Sequence, residues 1–478
     1  MNYPFWDVPI IGSGWVLGGI AIFHVMVSHF AVGGGLYLPL AERKARLEGR
    51  DDWLEVLKKH SKFFLVLTGV FGAVTGVAIW FSIGLANPEA TSTLIHNFVF
   101  GWAIEYVFFL VELTTAAIYY YTWDKISPGL HLKIGYLYAA TSWLTLVIIN
   151  GILTFMLTPG ATWLGVAGSG SEASVFWYAF FNPTYFPSLI LRTLVAVSLA
   201  AVWALVTTSR IDGFTQGKLK TSIVRWSVKW LIPSFLLMPV AFAWYLYMVP
   251  ESGRQLMNLG ISTIGAGTFT HVTRAILVSV MASATIAALA YFVAYRNPRT
   301  FKTGWALSVL FLAFAATAAT EQAREMLRKP FVIGQFMYSN GIRKSEVEKF
   351  NREGYLTHTM WLSPETPDSP YRKVGGLPEA DRTLLKGELM FRGQCASCHT
   401  RDGYRALGSL LRDRDEKSIR NIVQTLHEYK EDSPYRAFMP PLVGKEDEIE
   451  ALVQYLRTLN AAPPKPEAPA TQTARVDR

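Results

Sequence analysis

Eight long apolar stretches constrain this chain more than any other feature of its sequence. Each has about twenty residues, the length that crosses about 30 Å of hydrocarbon. They occupy residues 14–40, 61–85, 98–122, 132–157, 188–208, 227–249, 271–295 and 302–321. With 51% hydrophobic and 17% charged residues, the chain is too apolar for an ordinary soluble protein. The sequence therefore predicts an all-α, polytopic transmembrane helix bundle of about eight spans over residues 1–321.

Lysine and arginine lie almost entirely in alternate loops between these stretches. The loops at 86–97 and 158–187 have neither residue type, and the loop at 249–270 has only Arg254. The other loops are basic, and by the positive-inside rule they face the cytoplasm. We therefore expect a multi-pass protein of the bacterial inner membrane, with both termini on the periplasmic or outer side. The net charge of +9 follows from this topology and requires no nucleic-acid partner.

The only two cysteines of the chain lie in the sequence Cys-Ala-Ser-Cys-His at residues 395–399. Two thiols at this spacing can form thioethers to a haem, and the adjacent histidine can then ligate the iron. We therefore predict covalent haem c at Cys395, Cys398 and His399. The alternatives are a chance spacing or a CxxC redox motif. Haem c belongs on the outer side of the membrane, where the charge pattern also puts this motif.

Composition changes sharply after the eighth apolar stretch. Residues 322–378 are polar and basic, and are predicted to form an extracytoplasmic linker. Residues 379–460 show helical periodicity on both sides of the cysteine motif and are predicted to form a small helical domain. The Pro- and Ala-rich residues 461–478 are predicted to be a disordered tail.

The segment 379–460 resembles a class I cytochrome c. Gly387 and Phe391 precede the motif, a Met-Pro pair begins at Met439, and the final helix carries Tyr455. The resemblance implies that Met439 is the second axial ligand of the haem iron, the soft thioether of a His/Met haem. Ordinary core packing is the alternative for Met439.

Four ionisable residues in the apolar stretches are candidates for function, because each costs about 2.5–3.5 kcal/mol at the centre of a membrane helix. His24 is a possible haem ligand, although a histidine bonded to a neighbouring helix is equally consistent with its position. Glu105 and Glu112 are two turns apart, so both carboxylates lie on one helix face and suit proton delivery or iron ligation. Their alternative is charge pairing with Arg192 or Arg274. Glu321 precedes a run of charged residues, which favours an interfacial salt-bridged cluster.

Several short motifs resemble subunit I of the cytochrome bd oxygen reductases. They are Ala-Ile-Phe-His-Val at 21–25, Trp102 to Glu112 with the later Trp-Asp pair, the run 142–159 with its asparagine, Asn-Pro at 182–183 and Glu-Ser-Gly at 251–253. The resemblance implies that His24 ligates a haem of b or d type. It implies that Glu105 and Glu112 are the carboxylates beside the oxygen-reactive haem and its proton path. It further implies that Glu321 corresponds to a glutamate that ligates a high-spin haem, and that a second membrane subunit is a partner.

The sequence departs from that family in the parts that handle quinol. The family's low-spin haem b uses a histidine early in span five and a methionine in span seven. In this chain the span-five region has Leu191, Arg192 and Thr193, and the span-seven position after Arg274 has Ala275 and Ile276. The long quinol-binding loop is reduced to residues 249–270. We therefore expect electrons to enter through the fused haem c, from a c-type cytochrome or another periplasmic donor. His271 at the start of span seven could ligate a replacement haem, although a structural role is the simpler interpretation.

The sequence thus predicts membrane-bound respiratory electron transfer by a cytochrome-c-linked, bd-like oxygen reductase. Electrons would pass from haem c to intramembrane haem near His24 and Glu321, with protons supplied past Glu105 and Glu112. One alternative is a non-catalytic electron conduit within a larger respiratory complex. Another is a membrane anchor without buried haem.

Overall fold

Eight membrane-length helices dominate the computed structural model, which describes residues 6–264, 270–359, 369 and 376–460. In chain order the helices of this part are α1 Ser13–Leu47, α2 Asp51–Ala86, α3 Pro88–Tyr121, α4 Pro128–Phe155, α5 Ala161–Val166, α6 Phe176–Phe180, α7 Tyr185–Thr208, α8 Gly217–Met248, α9 Glu251–Ile264, α10 His271–Tyr295 and α11 Thr303–Arg328. All but α5, α6 and α9 are long and apolar enough to cross a membrane. The predicted all-α bundle of eight spans is confirmed.

Short capped connections set the packing order of the bundle. Asn87 accepts a hydrogen bond from the Ala90 amide at 3.2 Å and is followed by proline, so α3 begins immediately after α2 ends. Ser127 and Pro128 start α4 in the same way. Because such connections return the chain antiparallel, neighbours in sequence become neighbours in space, and α3 with α4, α7 with α8 and α10 with α11 form the most extensive pairs.

A close contact between α1 and α7 fixes the centre of the bundle. A Cβ atom at Gly33 would lie 2.0 Å from the carbonyl oxygen of Ala196, so only glycine permits this approach. Small residues at helix interfaces are the usual means by which membrane helices pack closely, since lipid offers no hydrophobic drive for their association. This contact holds α1, which carries His24, against α7, which carries Arg192.

Two irregularities shape the helices around the candidate site. Residues Leu67–Gly72 of α2 form a π-helical turn, and Phe98 in α3 has non-helical dihedral angles of φ −125° and ψ 25°. Such turns rotate the residues that follow relative to a regular helix, and they are frequent at functional sites. The π-turn directly precedes Thr75 and Gly76, the residues of α2 that meet His24.

Helix bounds differ from the apolar stretches at several ends. Helix α2 begins at Asp51, ten residues before its apolar stretch, and α11 continues to Arg328, beyond residue 321. Hydropathy detects only the part of a helix that hydrocarbon would surround, so polar turns at the ends escape it. After α11, the strands β1 Phe331–Ile333 and β2 Met337–Tyr338 pair antiparallel.

The chain divides into two compact units. The bundle unit comprises residues 14–347 and 431–440 within the described part, and the C-terminal unit comprises residues 6–13, 348–430 and 441–460. The predicted domain limits at 321, 378 and 460 stay predictions. The predicted tail, 461–478, lies outside the described residues, as does the Pro-rich stretch of the predicted linker except for Ser369.

The C-terminal unit is built around two crossing helices. Its helices are α12 Val347–Glu353, α13 Tyr355–His358, α14 Glu379–Gln394, α15 Leu407–Leu410, α16 Glu416–Glu428 and α17 Glu446–Asn460. Helices α14 and α17 cross at Gly387, where a Cβ atom would lie 2.1 Å from the Ala451 carbonyl oxygen. One turn later the rings of Phe391 and Tyr455 pack with centroids 5.8 Å apart.

Candidate functional site

Glu112 is a buried carboxylate held by two hydroxyl groups of the next helix. It lies on α3 with 3% of its surface exposed. Ser142 of α4 donates to one carboxylate oxygen at 2.9 Å, and Thr145 donates to the other at 3.3 Å. The charge pairing with Arg192 or Arg274 that the sequence allowed as an alternative is not among these contacts. Hydroxyl groups can both donate and accept protons, so this arrangement suits proton transfer.

Glu105 lies two turns before Glu112 on the same helix. It is half-buried, and no hydrogen bond or ion pair holds its carboxylate within the described part of the chain. Glu105 and Glu112 are close enough to interact electrostatically. The structure therefore brings the two predicted carboxylates together, one fixed by hydroxyl groups and one without a fixed partner.

His24 lies on α1 and faces α2. Its Nδ1 atom is 2.8 Å from the Thr75 hydroxyl, and a Cβ atom at Gly76 would lie 3.5 Å from its Cε1. The side chain is half-buried. The Thr75 contact fixes the ring through Nδ1, so a metal would be bound through Nε2. The histidine bonded to a neighbouring helix and the haem-ligating histidine both stay consistent with this geometry.

Glu321 belongs to an ion cluster that joins α7 and α11. One carboxylate oxygen is 3.2 Å from Arg192 Nη2, and the other is 2.9 Å from Arg324 Nε. The buried His29 ring interacts electrostatically with Arg192 and Glu321. Because both oxygens of Glu321 hold guanidinium groups, the geometry favours the salt-bridge interpretation, and ligation of iron by Glu321 stays a prediction.

A second buried ion cluster was not predicted from the sequence. Glu42 on α1 is fully buried and accepts hydrogen bonds from Arg46 Nε at 2.7 Å and the Tyr119 hydroxyl at 2.6 Å. His131 Nδ1 lies 2.9 Å from both carboxylate oxygens. Glu42 and His131 lie near helix ends among basic residues, where charged side chains are usually solvated. The sequence alone therefore does not indicate that they are buried. The cluster ties α1, α3 and α4 together.

The cysteine motif forms a single turn at the end of α14. The amides of Cys398 and His399 both donate to the Cys395 carbonyl at 3.0 Å, so the two thiols share one turn. His399 Nδ1 donates to the Arg405 carbonyl at 2.9 Å. Burial and the adjacent Cys398 thiol raise the pKa of Cys395 to about 12. Reactive CxxC motifs need a depressed thiol pKa, so this environment does not resemble a redox motif.

Met439 lies in the segment 431–440, which is grouped with the bundle unit. Its amide donates to the Tyr435 carbonyl at 2.8 Å. The axial-ligand role implied by the class I resemblance therefore stays a prediction. Met390, by contrast, is fully buried beside Gln394, in the core of the C-terminal unit.

The donor sets fit haem better than a bare metal ion. Among the described residues, no group of three or more His, Cys, Asp and Glu side chains could hold a metal ion. The turn of Cys395 and Cys398 with a fixed His399 ring fits covalent haem c, and the fixed ring of His24 fits a single axial ligand. Glu321 in its ion cluster does not fit an open ligand position.

Comparisons with known proteins agree on the bundle. Residues 13–244 match the sequence model of the family described as cytochrome bd terminal oxidase subunit I. A Bacillus subtilis (strain 168) protein described as a putative cytochrome bd menaquinol oxidase subunit I is 26% identical over 164 residues. That alignment covers 34% of this chain and 36% of the relative, so it spans about a third of the relative's length.

A solved structure extends the likeness of the fold. A chain of the bd oxidase from Geobacillus thermodenitrificans superposes with a TM-score of 0.52 at 15% sequence identity. The superposition covers 68% of this chain and 88% of that chain. At this level of identity the likeness concerns the fold alone.

Proposed function

We propose that this protein, whose residues 13–244 match the sequence model of cytochrome bd terminal oxidase subunit I, is the haem-binding subunit of a respiratory oxygen reductase that receives its electrons through a fused haem c. The observation that carries the proposal is the coexistence in one chain of this bundle and a Cys-Ala-Ser-Cys-His turn with a fixed histidine. The family accounts for haem of b or d type in the membrane. The turn accounts for an electron entry site that the family's bundle does not itself contain.

Three contacts in the C-terminal unit support haem c. The crossing of α14 and α17 at Gly387 and the packing of Phe391 on Tyr455 agree with the proposed class I cytochrome c, whose resemblance rests on these residues. The hydrogen bond from His399 to the Arg405 carbonyl orients the ring and raises the basicity of Nε2, as second-shell bonds to ligating histidines do. Met439 is the proposed sixth ligand.

In the bundle, His24 is the proposed axial ligand of an intramembrane haem. A bound haem of b or d type would supply the one-electron and oxygen chemistry. The protein would contribute the protons: Ser142 and Thr145 hold Glu112, and Glu105, on the same face of α3, would carry protons between Glu112 and the haem. Glu105 and Glu112 are therefore the proposed catalytic acids.

Direct quinol oxidation is not part of the proposal. Arg192 lies in the region of span five where the family has a haem-ligating histidine, and its guanidinium is held by Glu321. A charged guanidinium cannot ligate iron. The connection between α8 and α10, residues 249–270, is also shorter than the long quinol-binding loop of the family. The electron donor is therefore proposed to be a c-type cytochrome on the periplasmic side of the bacterial inner membrane, and a second membrane subunit is the proposed partner.

Oxygen consumption with a reduced c-type donor tests the proposal. The purified full-length protein, with any subunit that copurifies, should consume oxygen when given reduced cytochrome c and should be inactive with quinol. Glu105→Ala should abolish turnover, whereas Glu89→Ala, a change near the start of the same helix, should not. A protein with intact intramembrane haem that shows no CO or cyanide spectral shift would overturn the oxidase proposal.

The Glu321 cluster favours one other function, a non-catalytic electron conduit. If both oxygens of Glu321 stay with Arg192 and Arg324, the bundle has one fewer group to complete a second haem site. In that case haem c and the haem at His24 would pass electrons to another subunit. Rapid reduction of both haems without oxygen consumption would support this function. A pyridine haemochrome spectrum with only c-type haem would leave a membrane anchor.

A further inference from the structure

A short segment before the first membrane helix forms part of the C-terminal unit. Residues 6–12, here called the N-terminal strap, precede α1 by sequence and belong to the same compact unit as the cysteine motif. The Ile10 carbonyl accepts a hydrogen bond from the Tyr404 amide at 2.7 Å. This bond joins two residues almost 400 positions apart. No part of the proposed haem chemistry requires it.

The strap fits the loop that follows His399 closely. A Cβ atom at Gly403 would lie 1.8 Å from the Ile10 carbonyl oxygen, so the two backbones are in direct contact. Gly12 has a positive φ of 77°, which turns the strap into α1, and a Cβ there would lie 3.4 Å from Thr400. Asp7 lies near Arg401, whose guanidinium is itself 2.6 Å from the Glu388 carboxylate. The strap is therefore held by backbone contact, while the Ile10 side chain is 75% exposed.

The loop under the strap carries the carbonyl that orients His399. Arg405 provides that carbonyl and has a φ of 49°, in the left-handed region that a non-glycine residue adopts only with strain. Strained backbone persists only where its surroundings hold it. Within the loop, the Thr400 hydroxyl accepts a hydrogen bond from the Gly403 amide and donates one to the Tyr404 carbonyl, each at 2.9 Å. The Tyr404 amide, in turn, donates to the Ile10 carbonyl of the strap.

We infer that the N-terminal strap is a positioning element for the haem c site: by holding Gly403 and Tyr404, it keeps the Arg405 carbonyl on His399 Nδ1 and so tunes the haem c potential. The inference rests on the proposed haem c. A hydrogen bond to Nδ1 makes the imidazole more electron-rich and stabilises the ferric state. Loosening the strap therefore weakens this bond and raises the midpoint potential. The strap, which leads into the first membrane helix, thus helps to set the midpoint potential of the proposed haem c.

The test is a redox titration of haem c in the full-length protein. Gly403→Ala puts a methyl group where the Ile10 carbonyl lies and should shift the midpoint potential upward. It should also increase hydrogen exchange at the Tyr404 amide. Gly376→Ala is the matched control, because a Cβ there meets nothing within 4 Å. Asp7→Asn is a milder variant, because it removes only the carboxylate charge near Arg401 of this loop, and should shift the potential in the same direction by a smaller amount.

Replacement of the exposed Ile10 side chain distinguishes the contribution of the strap's backbone from that of its side chains. Ile10→Ser should leave the potential unchanged, since the contact uses the carbonyl group. An unchanged or lowered potential in both Gly403→Ala and Asp7→Asn, with haem c attached, would overturn the inference. If the wild-type protein contains no covalent haem, the proposed function itself fails, and the pyridine haemochrome spectrum distinguishes this outcome before any titration.

Discussion

Replacing Glu448 tests how the C-terminal unit is held together. Glu448 lies in the first turn of α17 and is 5% exposed. One carboxylate oxygen accepts from the Tyr355 amide at 2.8 Å and the Lys445 amide at 2.9 Å, and the other accepts from the Leu356 amide at 2.9 Å. A single carboxylate therefore satisfies buried donors at the starts of both α13 and α17.

The expected cost of Glu448→Gln follows from these three bonds. A hydrogen bond to a charged acceptor contributes about 1.5–3 kcal/mol, and a buried donor left without an acceptor costs a similar amount. Glutamine keeps one carbonyl oxygen but turns an NH₂ group toward at least one backbone amide. We expect a loss of about 3 kcal/mol, which for a unit of this size lowers Tm by about 10–20 °C.

The assay is thermal unfolding of the full-length protein in detergent, followed by circular dichroism, with hydrogen exchange at Tyr355 and Leu356 as a local readout. Glu450→Gln is the control, since Glu450 pairs with Arg420 on the surface with 39% of its side chain exposed. Such a pair contributes at most about 1 kcal/mol. Equal Tm values for the two variants, or unchanged exchange at Tyr355 and Leu356 in Glu448→Gln, would refute the reasoning.

The remaining predictions concern the bundle and pH. Gly33→Ala should cost about 1–3 kcal/mol or abolish assembly, because it forces α1 from Ala196, whereas Gly19→Ala, which meets nothing within 4 Å, should be neutral in thermal unfolding. Glu42→Gln should cost about 3–5 kcal/mol by leaving Arg46 and His131 without their carboxylate, and the exposed Glu48→Gln should change Tm little. Glu112→Gln should keep the fold, since an amide can still accept from a hydroxyl, but should slow oxygen consumption about 100-fold or more; a rate near wild type would exclude Glu112 from proton delivery. Arg420 lowers the pKa of Glu450, so the small stabilisation by this pair is present above the unfolded pKa and is lost as pH falls through the folded value; the Tm difference between wild type and Glu450→Gln should vanish there.

The sequence predicts the bundle well because hydrocarbon places only two strong requirements on a membrane helix. Hydrocarbon requires about twenty apolar residues and complete internal hydrogen bonding, so eight stretches mean eight helices. It could not give their true ends, since Asp51 and Arg328 lie in polar turns that hydropathy does not separate from loops. The π-turn at 67–72 was equally invisible, because its residues are ordinary apolar ones.

The sequence identifies individual candidate residues of the site, but it does not predict which side chains contact each other. The spacing of Glu105 and Glu112 was enough to put both on one helix face. The sequence could not say that Ser142 and Thr145 would hold Glu112, or that Arg192 would turn to Glu321, because these partners come from other helices. The Glu42 cluster escaped prediction for the same reason. Local spacing carries information within a helix, whereas pairing across helices depends on packing.

The central claim, that haem c is the electron entry site for the bundle, has one direct test. In a variant with Cys395→Ala and Cys398→Ala, the intramembrane haem should still form and should be reduced by dithionite. Reduced cytochrome c, which reduces the wild-type protein completely, should leave that haem oxidised on the time scale of turnover. Reduction of the intramembrane haem by cytochrome c at the wild-type rate would contradict the claim.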